Sequence, residues 1–295
     1  STARNILMMF LALTTTMYLA PVGKRDGGLR RKSVRNGFWG PPTADFDWCE
    51  KNYPYSEGLI RYIAEPWNTL SNLIWQPLSV YTGQGLRQCG MLDAQAVRTL
   101  ALTMLIGTGS FVFHATLRYE AQLLDELPMS GFVLHTAWYG HHRLRGQIGV
   151  NPRGQTSNGS WACLAFFLSL IPWMFLTSRD STMHALGRVV MVLSFTACFV
   201  SLGYTSTKMA EEIQLVAPEK HGNEIRLFHS VVFGACVCAI VAWITDSLHC
   251  DAWQDLPLGL PYPQLHATMW HNLILLTALG LVLLQAQHRQ VFQVC

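Results

Sequence analysis

The chain has 295 residues, half of them hydrophobic and only 13% charged, against roughly a quarter charged in an ordinary globular protein. A formal net charge of +3, with no basic stripe carrying interleaved aromatics, excludes a nucleic-acid binder, and the composition excludes a disordered chain, a collagen, a coiled coil or a small disulfide scaffold. A mean hydropathy of +0.22 suits an all-α polytopic membrane protein whose helices turn polar groups inward, and the scarcity of period-two alternation argues against a β-barrel.

Taken in chain order, the first feature is an apolar run at residues 5–20, followed by Pro21. Residues 1–22 therefore read as a signal peptide, a signal anchor or an extra apolar segment. Residues 23–66 form an extracytosolic flank, opening on a basic stretch at 24–35 with six Lys/Arg and one Asp. That stretch is a solvated tail or a contact for lipid headgroups. Further along, Asp47, Glu50, Asn52 and Glu65 cluster oxygen-bearing side chains. Such a set suits a hard cation such as calcium, or simply a solvated acidic turn, and it lacks the glycine and loop length of an EF-hand.

A bilayer span needs about 20 mainly apolar residues. Five stretches qualify well: 97–115, 161–177, 183–204, 227–245 and 268–285. Two more, 67–81 (interrupted by Pro77) and 127–140, are polar enough to face a bundle interior. Together they predict a seven-transmembrane helix bundle over 67–287 with a cytosolic tail at 288–295. Inside loops and tail then hold Arg87, Arg98, Arg143, Arg145, Arg153, Lys208, Lys220, Arg226 and Arg289, while outside loops hold Arg118 and Arg179. This bias places the N-terminus outside and the C-terminus in the cytosol, although the basic stretch at 24–35 votes the other way. The sequon at Asn158 falls in an inside loop and is expected to stay unglycosylated.

On this map His114 closes span two, Asp125 precedes span three, Asp246 closes span six, and His266 and His271 open span seven. All five fall near the outer face, and ionisable groups at membrane depth usually mark function. Three imidazoles with nearby carboxylates fit a zinc site with one position open for water. For any single histidine a hydrogen-bonded place in the core is the default. The eight cysteines include no CxxC pair, which argues against a zinc finger or thioredoxin-type site.

The segments 47–53 (DWCEKNY), 62–72 (YIAEPWNTLSN), 109–120 (GSFVFHATLRYE) and 122–129 (QLLDELPM) resemble the alkaline ceramidase family, as do 243–246 (WITD) with Cys250 and 264–267 (QLHA) with Trp270 and His271. The likeness runs over about residues 38–285 and is most specific from Ser110 to Met129. It implies a seven-helix zinc amidase of the endoplasmic reticulum, Golgi or plasma membrane that takes ceramide from the bilayer and releases a sphingoid base and a fatty acid. By the same resemblance His114, His266 and His271 are zinc ligands, and Ser110 and Asp125 are catalytic. Asp47, Trp48 (through its carbonyl), Glu50, Asn52 and Glu65 are calcium ligands, and Cys49 pairs with Cys250. Asp246 is a candidate outer partner of the zinc ligands, and no obligatory protein partner is inferred.

The physics adds to this unevenly. Ser110 and His114 are four apart and share a helix face. Cys49 and Cys250 both fall on the outer side, where oxidation is permitted. The family spaces its last two histidines four apart, but His266 and His271 are five apart. On an α-helix five residues leave the rings about 140° apart. Either a π-bulge absorbs the extra residue, or His266 precedes the first helical turn, or the chain is a dead pseudoenzyme or the product of a faulty gene model. The alternative function is a non-catalytic, receptor-like or pseudoenzyme member of the same superfamily that retains a structural zinc.

Overall fold

The computed structural model describes residues 37–44, 48–144, 182–254, 256 and 262–293, with side chains except at 182–198, 248 and 293. The apolar run at 5–20, the basic stretch, Asp47, Asn158 and the expected span at 161–177 lie outside these residues. Among the described residues all regular structure is helical, apart from an isolated bridge between Gly37 and Gly40. The elements are α1 (Pro66–Ser71), α2 (Trp75–Gln88), α3 (Ala94–Thr116), α4 (Tyr119–Leu144), α5 (Thr182–Val216), α6 (Glu219–Leu248), α7 (Cys250–Gln254) and α8 (Asn272–Gln293), which a π-helical segment, His266–His271, precedes. Among the described residues three helical stretches are long and apolar enough to cross a membrane: Ala94–Thr116, Glu219–Ser247 and His266–Phe292.

The expected span at 67–81 is not one helix. A 3-10 turn at Asn72–Ile74 separates α1 from α2. Side chains cause the break: Ser71 Oγ donates to the Asn68 carbonyl at 2.9 Å and Asn72 Nδ2 donates to the same oxygen at 2.8 Å. Short polar side chains that bond nearby backbone compete with a continuous helical ladder. Pro77 sits in the first turn of α2, where a missing N–H costs little. The segment between His114 and Asp125 is likewise mostly helix. Leu117, at φ 51°, and Arg118 make the whole turn between α3 and α4.

Two compact units divide the chain. The first comprises residues 1–78, 107–125 and 234–277. Here the segment before α1 forms a collar on the end of α3, whose last carbonyls have no intrahelical donors. Glu65 N donates to His114 O (3.0 Å), Ala64 N to Ala115 O (3.0 Å), and Thr43 N and Ala44 N to Leu117 O (3.0 and 3.1 Å). Ala64, Phe113, Leu117 and Ala121 are buried together beneath it. The second unit comprises residues 79–106, 126–233 and 278–295. Its helices approach closely where side chains are small, as at Gly140, where a Cβ would lie 2.7 Å from Thr205 Oγ1. Arg289 is buried there, bound to Asp93 Oδ1 (3.0 Å), Met91 O (3.1 Å) and Tyr139 Oη (3.3 Å), and His288 Nε2 meets Glu212 Oε2 at 2.7 Å.

Candidate metal centre

The first unit brings His114, His266 and His271 together. One nitrogen from each lies within 4.8 Å of the others, and all three side chains are buried. Among the described residues this is the group of histidines, cysteines and carboxylates arranged to hold a metal.

Each ring is fixed from outside the cluster. His114 Nδ1 stands 2.6 Å from Glu65 Oε2. A carboxylate only accepts, so Nδ1 carries the proton and Nε2 keeps its lone pair. That Nε2 is buried and has no hydrogen-bond partner. His271 Nδ1 lies 2.6 Å from Ser71 Oγ, and its Nε2 lies 3.3 Å from Ser110 Oγ. His266 is held differently. Its ring packs on the indole of Trp48, centroids 3.9 Å apart, and its Nδ1 is buried without a hydrogen bond. Its backbone N–H donates to Asp246.

The five-residue spacing is absorbed by the π-helical segment His266–His271. Bonding from i to i+5 turns residues five apart toward one side, as the α-helix cannot. The carbonyls that the wider turn leaves poorly served are taken by Asn272, whose Nδ2 donates to Thr268 O (2.9 Å) and Ala267 O (3.2 Å). Thr268 Oγ1 in turn donates to Gln264 O at 2.9 Å.

Ser110 and Asp125 are both buried, on α3 and α4. Further along α4, Pro128 lacks the N–H that would serve the Leu124 carbonyl. That carbonyl lies against Gly109: a Cβ there would sit 2.0 Å from Leu124 O and 2.8 Å from Asp125 N. Only a residue without a side chain lets the backbone carrying Asp125 pass so near Ser110.

Asp246 is an anchor. It accepts from Cys49 N (3.2 Å), from the Tyr262 hydroxyl and from His266 N. Burial and the adjoining Asp246 carboxylate raise the Tyr262 phenol above its ordinary range, which keeps it a donor. Cys49 and Cys250 are joined in a disulfide, and Gln254 Nε2 donates to Cys49 O at 2.9 Å. Trp48, next in the chain, is thereby tethered beside His266.

The expected calcium set finds no support among the described residues. Both oxygens of Glu50 accept the first amides of α1, from Trp67 (2.7 Å) and Asn68 (2.8 Å), capping that helix. Burial, then the nearby Glu65 carboxylate, holds Glu50 well above the usual carboxylate range, and those two amides pull the other way. Glu65 Oε2 serves His114 and Asn68 Nδ2 (3.0 Å). Trp48 contributes its indole to the histidine cluster, Asn52 is half-buried before α1, and Asp47 is not described. Sequence reasoning missed Asn68, Ser71, Gly109 and Asn272. The signal for two of them was present: Asn68 and Ser71 are polar residues inside a presumptive span, which itself points to function.

A three-histidine set, buried and flanked by carboxylate and hydroxyl partners, fits a metal such as zinc. Comparison with known proteins gives the family. The Ceramidase family profile matches residues 40–292. Alkaline ceramidase 3 of Mus musculus is 44% identical over 96 residues, 32% of this chain and 34% of that protein, so the aligned stretch spans about a third of its length. Alkaline ceramidase YPC1 of Saccharomyces cerevisiae is 28% identical over 240 residues, covering 76% of this chain and 70% of that one. Alkaline ceramidase 1 of Homo sapiens is 29% identical over 247 residues, covering 80% and 79%.

Proposed function

The chain belongs to the ceramidase family, and from that premise we propose that it is a seven-helix integral-membrane amidohydrolase that cleaves the amide bond of ceramide, releasing a sphingoid base and a fatty acid. The observation that carries the reading is the buried convergence of His114, His266 and His271 beside Ser110. Those three histidines would hold zinc. When bound, zinc supplies a Lewis acid that polarises the amide carbonyl and acidifies water.

The remaining work falls to side chains. Asp125 takes the proton of the attacking water and returns it to the departing sphingoid amine, so one water is consumed and one acid and one amine leave. The Ser110 hydroxyl donates to the oxyanion as the carbonyl carbon becomes tetrahedral. Gly109 lets the Leu124–Asp125 backbone close on Ser110 so that both groups reach one carbonyl. Ceramide enters from the bilayer. Among the described residues the helices suited to meet the bilayer are α3, α6 and α8 with its π-helical start.

The N-terminus is extracytosolic and the C-terminus cytosolic, in an endoplasmic reticulum or Golgi membrane. Lys/Arg bias supports this orientation, as does a disulfide at the end that carries the histidines, since disulfides persist on the oxidising side.

A metal-free alternative draws on the 3.3 Å contact between Ser110 Oγ and His271 Nε2: serine as nucleophile, histidine as base. It is disfavoured because His271 Nδ1 is engaged by a hydroxyl, not by the carboxylate that orients a catalytic histidine. Fatty-acid release from labelled ceramide by membranes expressing the chain separates the two. The zinc reading predicts loss with chelator and recovery with added zinc. Release that persists after exhaustive chelation contradicts it.

A further inference from the structure

Helix α1 has six residues and crosses nothing, yet it supplies the outer partners of two histidines on two other elements. Glu65, its N-cap, binds His114, and Ser71, its last residue, binds His271. Asn68 lies between them, three residues from each, on the same face. The helix packs directly against the π-helical segment.

Within this platform the protons can be followed. Ser71 Oγ has one hydrogen, and it lies 2.9 Å from the Asn68 carbonyl, which can only accept. With that hydrogen committed, Ser71 Oγ faces His271 Nδ1 at 2.6 Å as an acceptor. Nδ1 then carries the ring proton and Nε2 presents its lone pair inward, beside Ser110. The Asn72 amide also approaches Nδ1, but at 3.5 Å it is the weaker contact. We propose that Ser71 is a positioning residue: through the relay His271 Nδ1–H to Ser71 Oγ–H to Asn68 O it fixes the tautomer in which His271 Nε2 binds the metal. This rests on the zinc reading above.

The chemistry explains why a hydroxyl serves here. The cluster already has one buried carboxylate, Glu65, on His114. A neutral partner orients the second ring without burying a second negative charge. Outer partners of this kind typically change metal affinity by about 10–100-fold.

The test compares Ser71→Ala and Ser71→Thr in the full-length protein. Zinc affinity is read by competition with a chromophoric chelator, and thermal stability is read on the chelated, metal-free protein. Ser71→Ala should bind zinc roughly 10–100-fold more weakly, with the melting temperature of the metal-free protein unchanged, and Ser71→Thr, which keeps the oxygen, should restore most of the affinity. Unchanged zinc affinity in Ser71→Ala overturns the proposal. So does a loss of stability in the metal-free protein that matches the loss in the loaded one, or failure of either variant to fold, because each makes the hydroxyl a structural group. If the unaltered protein takes up no zinc, the metal reading itself fails, an outcome distinct from the others.

Discussion

Replacing Gly109 with alanine tests how the reacting groups are brought together. The added Cβ would lie 2.0 Å from Leu124 O, 2.5 Å from Leu124 C and 2.8 Å from Asp125 N, against 3.4 Å or more for an ordinary contact. All three atoms are backbone, so no side chain can swing aside. The two helices must part locally by about 1.4 Å, the difference between 3.4 and 2.0 Å. Overpacking of this kind costs about 1–3 kcal/mol, and a displacement near 1 Å at a reacting geometry can cost about 10²-fold in rate. Gly109→Ala should therefore lower ceramide turnover by roughly 10²-fold while the folded protein survives with a reduced melting temperature. Gly203→Ala is the control. Nothing lies within 4 Å of its added Cβ, and a helical Gly-to-Ala change stabilises by up to about 1 kcal/mol. Turnover of purified protein in mixed micelles, with thermal melting in parallel, reads both effects. Full activity in Gly109→Ala would refute the close-approach reasoning.

Three further outcomes follow from the same geometry. Glu65→Ala removes the acceptor of His114 Nδ1–H and should weaken zinc binding by about 10–100-fold, with Glu65→Gln in between because an amide oxygen still accepts; chelator competition checks it. Trp48→Ala removes the ring 3.9 Å from His266, and aromatic pairs contribute about 0.5–1.5 kcal/mol beyond area, so zinc affinity should fall up to about tenfold, with Trp48→Phe closer to the unaltered protein. Opening the Cys49–Cys250 disulfide by paired Cys→Ser substitution releases a constraint across a sequence separation of 201, about 5 kcal/mol in the chain-entropy model, and should appear as a large fall in melting temperature, since the bond also tethers Trp48.

Much of the site is legible from spacing alone. Ser110 and His114 share a face because they are four apart, and His266 and His271 require a distorted helix because they are five apart. The structure selects the π-helical solution, and the reason it can is Asn272, whose side chain serves the widened turn. That compensation is a side-chain hydrogen bond, invisible to hydropathy. Glu65 is a similar case. A carboxylate at a helix start can serve a cation, an amide or an imidazole, and spacing does not choose among them. Distance does, placing it 2.6 Å from His114. The polarity of 67–81 is legible as a weak span, but its break at Asn72 depends on Ser71 and Asn72 bonding one carbonyl. The approach at Gly109 was missed because Pro128 frees a carbonyl on a different helix.

On the proposed function, three histidines from two separate helical elements hold one metal that ceramide hydrolysis requires. Metal content per chain, measured by mass spectrometry on purified protein and on His271→Ala, tests it most directly. The unaltered protein should carry about one zinc per chain, as for a three-histidine catalytic site, and His271→Ala should lose both that zinc and fatty-acid release. Undiminished zinc and turnover in His271→Ala would contradict it.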